Sequence, residues 1–178
     1  MNKKVKKIIK ELYPYAIIVI SVILIRMFIA TPVVVSGDSM VPNLYNGDLL
    51  IVKKIGYNGE NINRSDIIVL KVSSNNGEEE IIKRVIGLPG EHISYKNNKL
   101  YVNNKIVNED YLFRDTNDFN LEEICTCSTI PKGKYLVLGD NRPISKDSTE
   151  FGLIDEEDIV GKAIFRIWPL TKIGNIYK

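Results

Sequence analysis
EEIIKRVIGLPGE, residues 79–91, has a two-residue alternation that suits an extended strand. Ile81, Lys83 and Val85 fall on one face and Ile82, Arg84 and Ile86 on the other. One of the two basic residues must therefore share a face with core-directed apolar neighbours. Ordinarily such a residue snorkels, with its stem packed on the core and its charge in water. The run stops at Gly87-Leu88-Pro89-Gly90, a strong turn sequence.

Outward from this strand the same character recurs. LLIVKK at 49–54, DIIVLK at 66–71 and KYLVL at 134–138 are short, rich in Ile, Leu and Val, and bounded by turn residues. DIVGKAIFRIWPL resumes strand character near the C-terminus. In SYKNNKLYVNNKIV the pairs Asn97-Asn98 and Asn103-Asn104 can each supply the positive φ of a tight hairpin turn. Residues 108–133 are polar and aperiodic, and are expected to form a long connection in a secondary lobe. There is no solenoid-length repeat and no low-complexity segment. The expected fold is mostly β, an antiparallel sheet domain with a smaller β-rich lobe at about 92–133, preceded by one transmembrane helix. The 178 residues suit a single domain with that lobe folded into it.

The N-terminus has a different composition. Lys3, Lys4, Lys6, Lys7 and Lys10 place five positive charges and no acid in the first ten residues, while the net charge of the whole chain is only +2. This is a local basic tail and not a nucleic-acid-binding surface. After it, Leu12 to Val35 is a run of 24 residues in which Arg26 is the only charge and no amphipathic period is visible. A bilayer core needs about 20 helical residues, and Arg26 lies in the last third, near enough to the far interface to snorkel. The sequence is read as a cytoplasmic tail at 1–11, a transmembrane anchor at 12–31 and an extracytoplasmic domain at 32–178, because lysines before a span hold that end in the cytoplasm. A cleaved signal peptide has the same first two regions. Its best cleavage point here, after Ala30, would put Phe28 where a small residue is needed, which favours an uncleaved anchor. SGDSMVPN, residues 36–43, follows directly and holds Ser39 in a turn-forming cluster. From Thr31 the chain can reach Ser39 over at most about 28 Å, so Ser39 is expected near the outer membrane surface.

The available chemistry is narrow. His92, the single histidine, follows Gly90-Glu91 in a turn where an exposed structural role is expected, and a Ser-His-Asp triad could form only through it. Cys125 and Cys127 are a lone CxC pair that supports zinc weakly and could be free thiols or a local disulfide. No glycine-rich phosphate loop occurs, and neither metal nor cofactor is expected. If Ser39 is a nucleophile, its base is not an imidazole. A lysine can serve only when neutral, and about one in 2,500 is neutral at pH 7 with an unperturbed pKa. Burial lowers that pKa. LGDNRPISKDSTEFG, residues 138–152, is a loop in which Asp140, Arg142 and Asp147 form a charge cluster. A serine-lysine pair needs a further hydroxyl or carboxylate to fix its flexible amine.

Taken together, SGDSMVPNL, GDLLIVKK, KRVIGLPGE and GDNRPISKDS, in this order after a single anchor, closely resemble the type I signal peptidases, or leader peptidases. The resemblance implies a mostly β catalytic domain with an apolar surface resting on the membrane, and a groove that accepts small residues one and three positions before the cut. It implies Ser39 as nucleophile, Lys83 as general base, and Ser145 as the hydroxyl that orients the lysine. Asp140, Arg142 and Asp147 would hold the active-site loop, Arg84 would be structural beside the base, and Gly37, Asp38 and Met40 would shape the nucleophile loop. Implied partners are preproteins bearing signal peptides, the lipid bilayer and the export translocon, with no nucleic acid. Two positions depart from the family pattern. Gly37 stands where some members have a serine that helps form the oxyanion hole, so backbone N–H groups near Ser39 must supply more of it. Thr149 stands where arginine is usual, which removes any Asp147–arginine pair there. A membrane-anchored β-domain that binds exported proteins without cutting them would be marked by loss of Ser39 or Lys83, and both are present. A self-cleaving repressor of related chemistry would carry a DNA-binding domain in place of the anchor.

Overall fold
The structure is a computed structural model that describes residues 3–57, 61–74, 77–112 and 115–177, the side chains of residues 3–7 and 74 excepted. The first two residues of the basic tail and the side chains of Lys3, Lys4, Lys6 and Lys7 lie outside the described part.

The chain opens with helix α1 (Lys3–Leu24), which a π-helical turn continues to Ile29, and strand β1 (Ala30–Val34) follows at once. Ile8–Ile29 is long and apolar enough to cross a membrane. The apolar run read as one stretch from Leu12 to Val35, with an anchor ending at residue 31, is therefore two elements, and the helix begins within the basic tail. An unbroken apolar run lacks the period that separates helix from strand. Pro32 and the β-branched Thr31, Val33 and Val34 favour the extended form at the junction.

The remaining elements are β2 (Leu49–Lys53), β3 (Ile67–Ser74), β4 (Gly77–Gly87), β5 (Ile93–Lys96), β6 (Lys99–Val102), β7 (Lys105–Val107) and β8 (Phe119–Asn120). Next come α2 (Leu121–Ile124), β9 (Lys134–Leu138), α3 (Ser148–Phe151), β10 (Ile154–Asp155), β11 (Ile159–Trp168) and β12 (Gly174–Asn175). An antiparallel sheet runs in the order β1-β2-β11-β3-β4-β9-β10, with β12 added to β11. A smaller antiparallel sheet runs β7-β6-β5-β8. Its two hairpins turn at Asn97-Asn98 and Asn103-Asn104, whose φ values of 50°, 61°, 49° and 62° are those that a two-residue loop with matching twist requires. The segment expected to be an irregular connection contains β8 and α2, and buries Phe119, Leu121 and Ile130. These three residues show no local period, yet together they fill the lobe's core.

Strand β4 has apolar packing on both faces. Ile82 joins Val52, Ile67 and Val69 on one, while Val85 joins Ile68, Leu70 and Val137 on the other. Lys83 lies opposite Ile68 in the β3–β4 register, so the alternation of residues 81–86 holds as expected.

Candidate active site
The loop between β1 and β2 carries Ser39. Val41 N–H donates to Asp38 O at 3.2 Å, and Asn43 and Leu44 N–H donate to Met40 O at 3.0 and 2.9 Å, which closes the turn. Met40 and Leu44 are buried in the core, and this fixes the turn from beneath and leaves Ser39 half-exposed above it. Gly37 has φ +81°, a left-handed value that strains other residues, and its N–H donates to Asn46 Oδ1 at 3.1 Å. Asp38 is exposed, with its carbonyl accepting from Asn141 Nδ2 at 3.1 Å. Asn141 N–H also donates to Ser39 O at 2.9 Å. Asn141 thus ties the Ser39 turn to the 139–147 loop, a role the sequence reading did not assign although it stands between Asp140 and Arg142.

Lys83 Nζ lies 2.8 Å from Ser39 Oγ. The lysine is only 3% exposed, and burial lowers its pKa from 10.5 to about 8, against the opposing pull of the Asp147 and Asp140 carboxylates. This is the shift a lysine needs to act as a base. The snorkelling alternative does not describe a residue so deeply covered.

Arg84, on the opposite face of β4, is bound through Nε and Nη2 to Asp140 Oδ1 and Oδ2 at 2.7 and 2.6 Å. Its Nη1 donates to Ser65 O at 3.0 Å, and its guanidinium stacks 3.9 Å from the Tyr111 ring centroid. Asp140 also accepts from Asn43 Nδ2 at 2.9 Å, which joins the loop to the far side of the Ser39 turn. Arg142 donates to Gly139 O at 3.0 Å, Thr116 Oγ1 at 2.9 Å, Glu109 Oε1 at 2.7 Å and Tyr95 Oη, binding the loop to the small sheet. Asp147 accepts from Gly139 N–H at 3.0 Å and caps α3 through Thr149 N–H at 3.2 Å and Thr149 Oγ1 at 2.9 Å. Thr149, at the position where the resemblance would have an arginine, thus bonds Asp147 itself.

Ser145 is buried next to Gly139, and among the described residues its Oγ has no hydrogen-bond partner, Lys83 included. The hydroxyl fills the space left by Gly139, where an added Cβ would lie 2.2 Å from Ser145 Oγ and 2.6 Å from Ser39 O. His92, at 3.2 Å from Glu122 Oε1, belongs to the lobe and not to this site. Cys125 and Cys127, left open between thiols and a bridge, form a disulfide.

A groove of about 520 Å³ contains Ser39 and Lys83. Its apolar walls are Val72, Ile81, Ile144 and Phe151, and Glu79, Lys146 and Glu150 add charge. Of these wall residues only Ile81 was singled out in the sequence reading, because the others come together from β3, β4 and the 139–151 segment, which are distant in sequence. Strand β9 pairs with β4 only from Arg84 to Gly87, so among the described residues the Gly77–Lys83 portion has no strand partner on that side. A separate hollow of about 300 Å³ lies beside Arg142 and Asp147, lined by residues of the lobe and not by Ser39.

Comparison with known proteins gives the same reading. The family described as signal peptidase, peptidase S26, matches residues 6–168. The chain is 38% identical to signal peptidase IB of Staphylococcus aureus strain COL over 94% of its length and 93% of the relative's. It is 46% identical to signal peptidase I of Bacillus caldolyticus, over 91% and 92%. The crystal structure of a signal peptidase I from Enterococcus faecalis superposes with a TM-score of 0.51 at 39% identity, covering 57% of this chain and 95% of that one. With a family match across most of its length and relatives at this identity, the chain belongs to the signal peptidases of family S26.

Proposed function
We propose that this protein is a membrane-anchored serine endopeptidase that removes N-terminal signal peptides from exported preproteins, with Ser39 as nucleophile and Lys83 as general base. Membership of the family supports a serine peptidase that removes signal peptides. The observation that carries the finer reading is the 2.8 Å approach of a buried amine to a half-exposed serine hydroxyl. Neutral Lys83 takes the Ser39 proton as Oγ attacks the scissile carbonyl, and the resulting ammonium then protonates the leaving amine. Lys83, neutral again, activates the water that hydrolyses the acyl ester. Among the described residues Ser39 N–H has no protein acceptor, which leaves it for the oxyanion where Gly37 provides no hydroxyl.

The unpaired stretch of β4 suits an extended peptide added as a strand. Side chains on one face of that peptide would meet Ile81, Ile144 and Phe151, which favours small residues one and three positions before the cut. The apolar helix serves as the membrane anchor. Exposed Phe165, Trp168, Leu170 and Ile173 form an apolar surface suited to resting on the bilayer, beside the translocon. To test the reading, the detergent-solubilised protein is incubated with a preprotein and the new N-terminus is mapped by mass spectrometry. A cut after a small residue, with another small residue two positions earlier, is expected. Cutting after basic or aromatic residues would overturn the specificity.

A further inference from the structure
The membrane helix and the sheet are joined through a turn that lies beside them. Ile29 O, at the end of the π-helical segment, accepts N–H bonds from Lys54 at 2.9 Å and Ile55 at 3.4 Å, and Ala30 faces Lys53 in the β1–β2 ladder. The turn Lys53-Lys54-Ile55-Gly56 is therefore fixed to the end of the apolar helix. A bilayer that holds the helix must place this turn at its headgroups. The composition suits that position. Ile55 is 55% exposed at the tip, and Gly56 reverses the chain at φ +65°. Lys53 is exposed and Lys54 half-exposed, and neither pairs with a carboxylate among the described residues. Arg26, also exposed, lies three residues before Ile29, within the same π-helical turn. Lys162, which faces Lys53 from β11, is occupied by Asp66 at 2.5 Å.

We infer that Arg26, Lys53 and Lys54 bind the phosphates of anionic phospholipids while Ile55 enters the acyl boundary, and that this contact sets the tilt of the sheet on the membrane. It is separate from the apolar surface around Trp168, which pairs with Leu49 at the opposite end of β2. Two ends of one sheet are then held, and the height of Ser39 above the bilayer follows. Each basic side chain near an anionic surface strengthens attachment about fivefold.

The experiment uses the full chain in vesicles, with an environment-sensitive fluorophore on Ile55→Cys and lipids that carry a headgroup-level quencher. This readout does not involve peptide cleavage, so it stands or falls separately from the catalytic reading. Blue-shifted and more strongly quenched emission is expected when phosphatidylglycerol is added to phosphatidylcholine. Lys53→Gln with Lys54→Gln should raise the anionic lipid needed for half of that response by roughly 25-fold. Lys53→Arg with Lys54→Arg should keep the response, which shows that charge and not folding is responsible. Equal emission in both vesicles, or an unchanged response in the glutamine pair, overturns the site. So does reversal by inorganic phosphate beyond that of chloride at equal ionic strength, since the ligand would then be a free anion.

Discussion

At Lys83 the burial that favours the neutral amine is opposed by two nearby carboxylates, and burial wins, leaving a pKa of about 8. At pH 7 about one amine in ten is then ready to accept a proton, against about one in 2,500 for an exposed lysine. The inactive ammonium form lies on the acid side of that value, and the downward shift brings the limb close to neutral pH. We therefore expect kcat/KM to fall about tenfold per pH unit below pH 8 and to level off above it. Asp147→Asn should move this limb to lower pH, since the carboxylate it removes favours the ammonium form. A shift to higher pH would show that Asp147 acts on Lys83 in some other way. Ser39→Ala and Lys83→Ala should each abolish processing in a folded protein. Lys83→Arg should fail as well, because arginine keeps the charge and cannot lose its proton near neutral pH. His92→Ala should leave the pH profile unchanged, its ring being engaged with Glu122 in the lobe. Activity in folded Lys83→Arg, or its loss in His92→Ala, would exclude the serine-lysine mechanism. Arg84 acts through structure. Its pair with Asp140 is buried at both ends, and Asp140→Ala, which strands the guanidinium, should cost about 3–5 kcal/mol in a denaturant titration.

The loop from Gly139 to Asp147 gathers the site, and it does so through a close approach that only glycine permits. A methyl group at Gly139 would meet Ser145 Oγ at 2.2 Å, Ser145 Cβ at 2.5 Å and Ser39 O at 2.6 Å. Two of these atoms belong to a short side chain and one to the backbone of Ser39, so none can move away freely. Gly139→Ala should lower thermal stability and reduce kcat by more than KM, because the displaced group is the one that reacts. A variant with wild-type kcat would mean that the turn at Ser39 tolerates the shift. The sequence exposed the strands well, since β4 and both Asn-Asn hairpins depend on local periods and local φ preferences. It exposed the loop only in part. Asp140, Arg142 and Asp147 are visible as a charge cluster, but the partners of Arg142 come from the distant lobe, Tyr95 from β5 and Glu109 and Thr116 from the segment between β7 and β8. Their pairing depends on how the lobe packs, which no local pattern records. The boundary between α1 and β1 was hidden for a different reason, as Ala30–Val34 is as apolar as the helix before it. Ser145 shows that position does not fix direction. The loop delivers it next to Gly139, and the direction of its hydroxyl depends on the gap there.

For the molecule as a whole, a helix that enters the sheet without a linker limits where the groove can stand. Ala30 is paired with Lys53 as soon as the helical segment ends, so the catalytic sheet cannot swing free of the bilayer that holds the helix. Substrates whose cleavage site emerges just beyond a membrane-embedded apolar segment would meet the groove at that height, and a free-floating peptidase would have to find each one by diffusion. The side of the membrane is set by charge. Five lysines stand in the first ten residues, and residues 30–48 beyond the helix contain no lysine or arginine. Positive charge near a span is retained in the cytoplasm, and the groups that count lie within about 15–20 residues of its ends. The balance of five against none favours a cytoplasmic N-terminus and a catalytic domain outside. Protease added to intact cells or protoplasts should accordingly degrade the domain from Ser36 onward. Replacing Lys3, Lys4, Lys6, Lys7 and Lys10 by glutamine while adding lysines next to Asn46 should invert part of the population and protect it. Protection of the wild-type domain until the membrane is broken would reverse the topology, and the enzyme would then face the compartment from which preproteins leave.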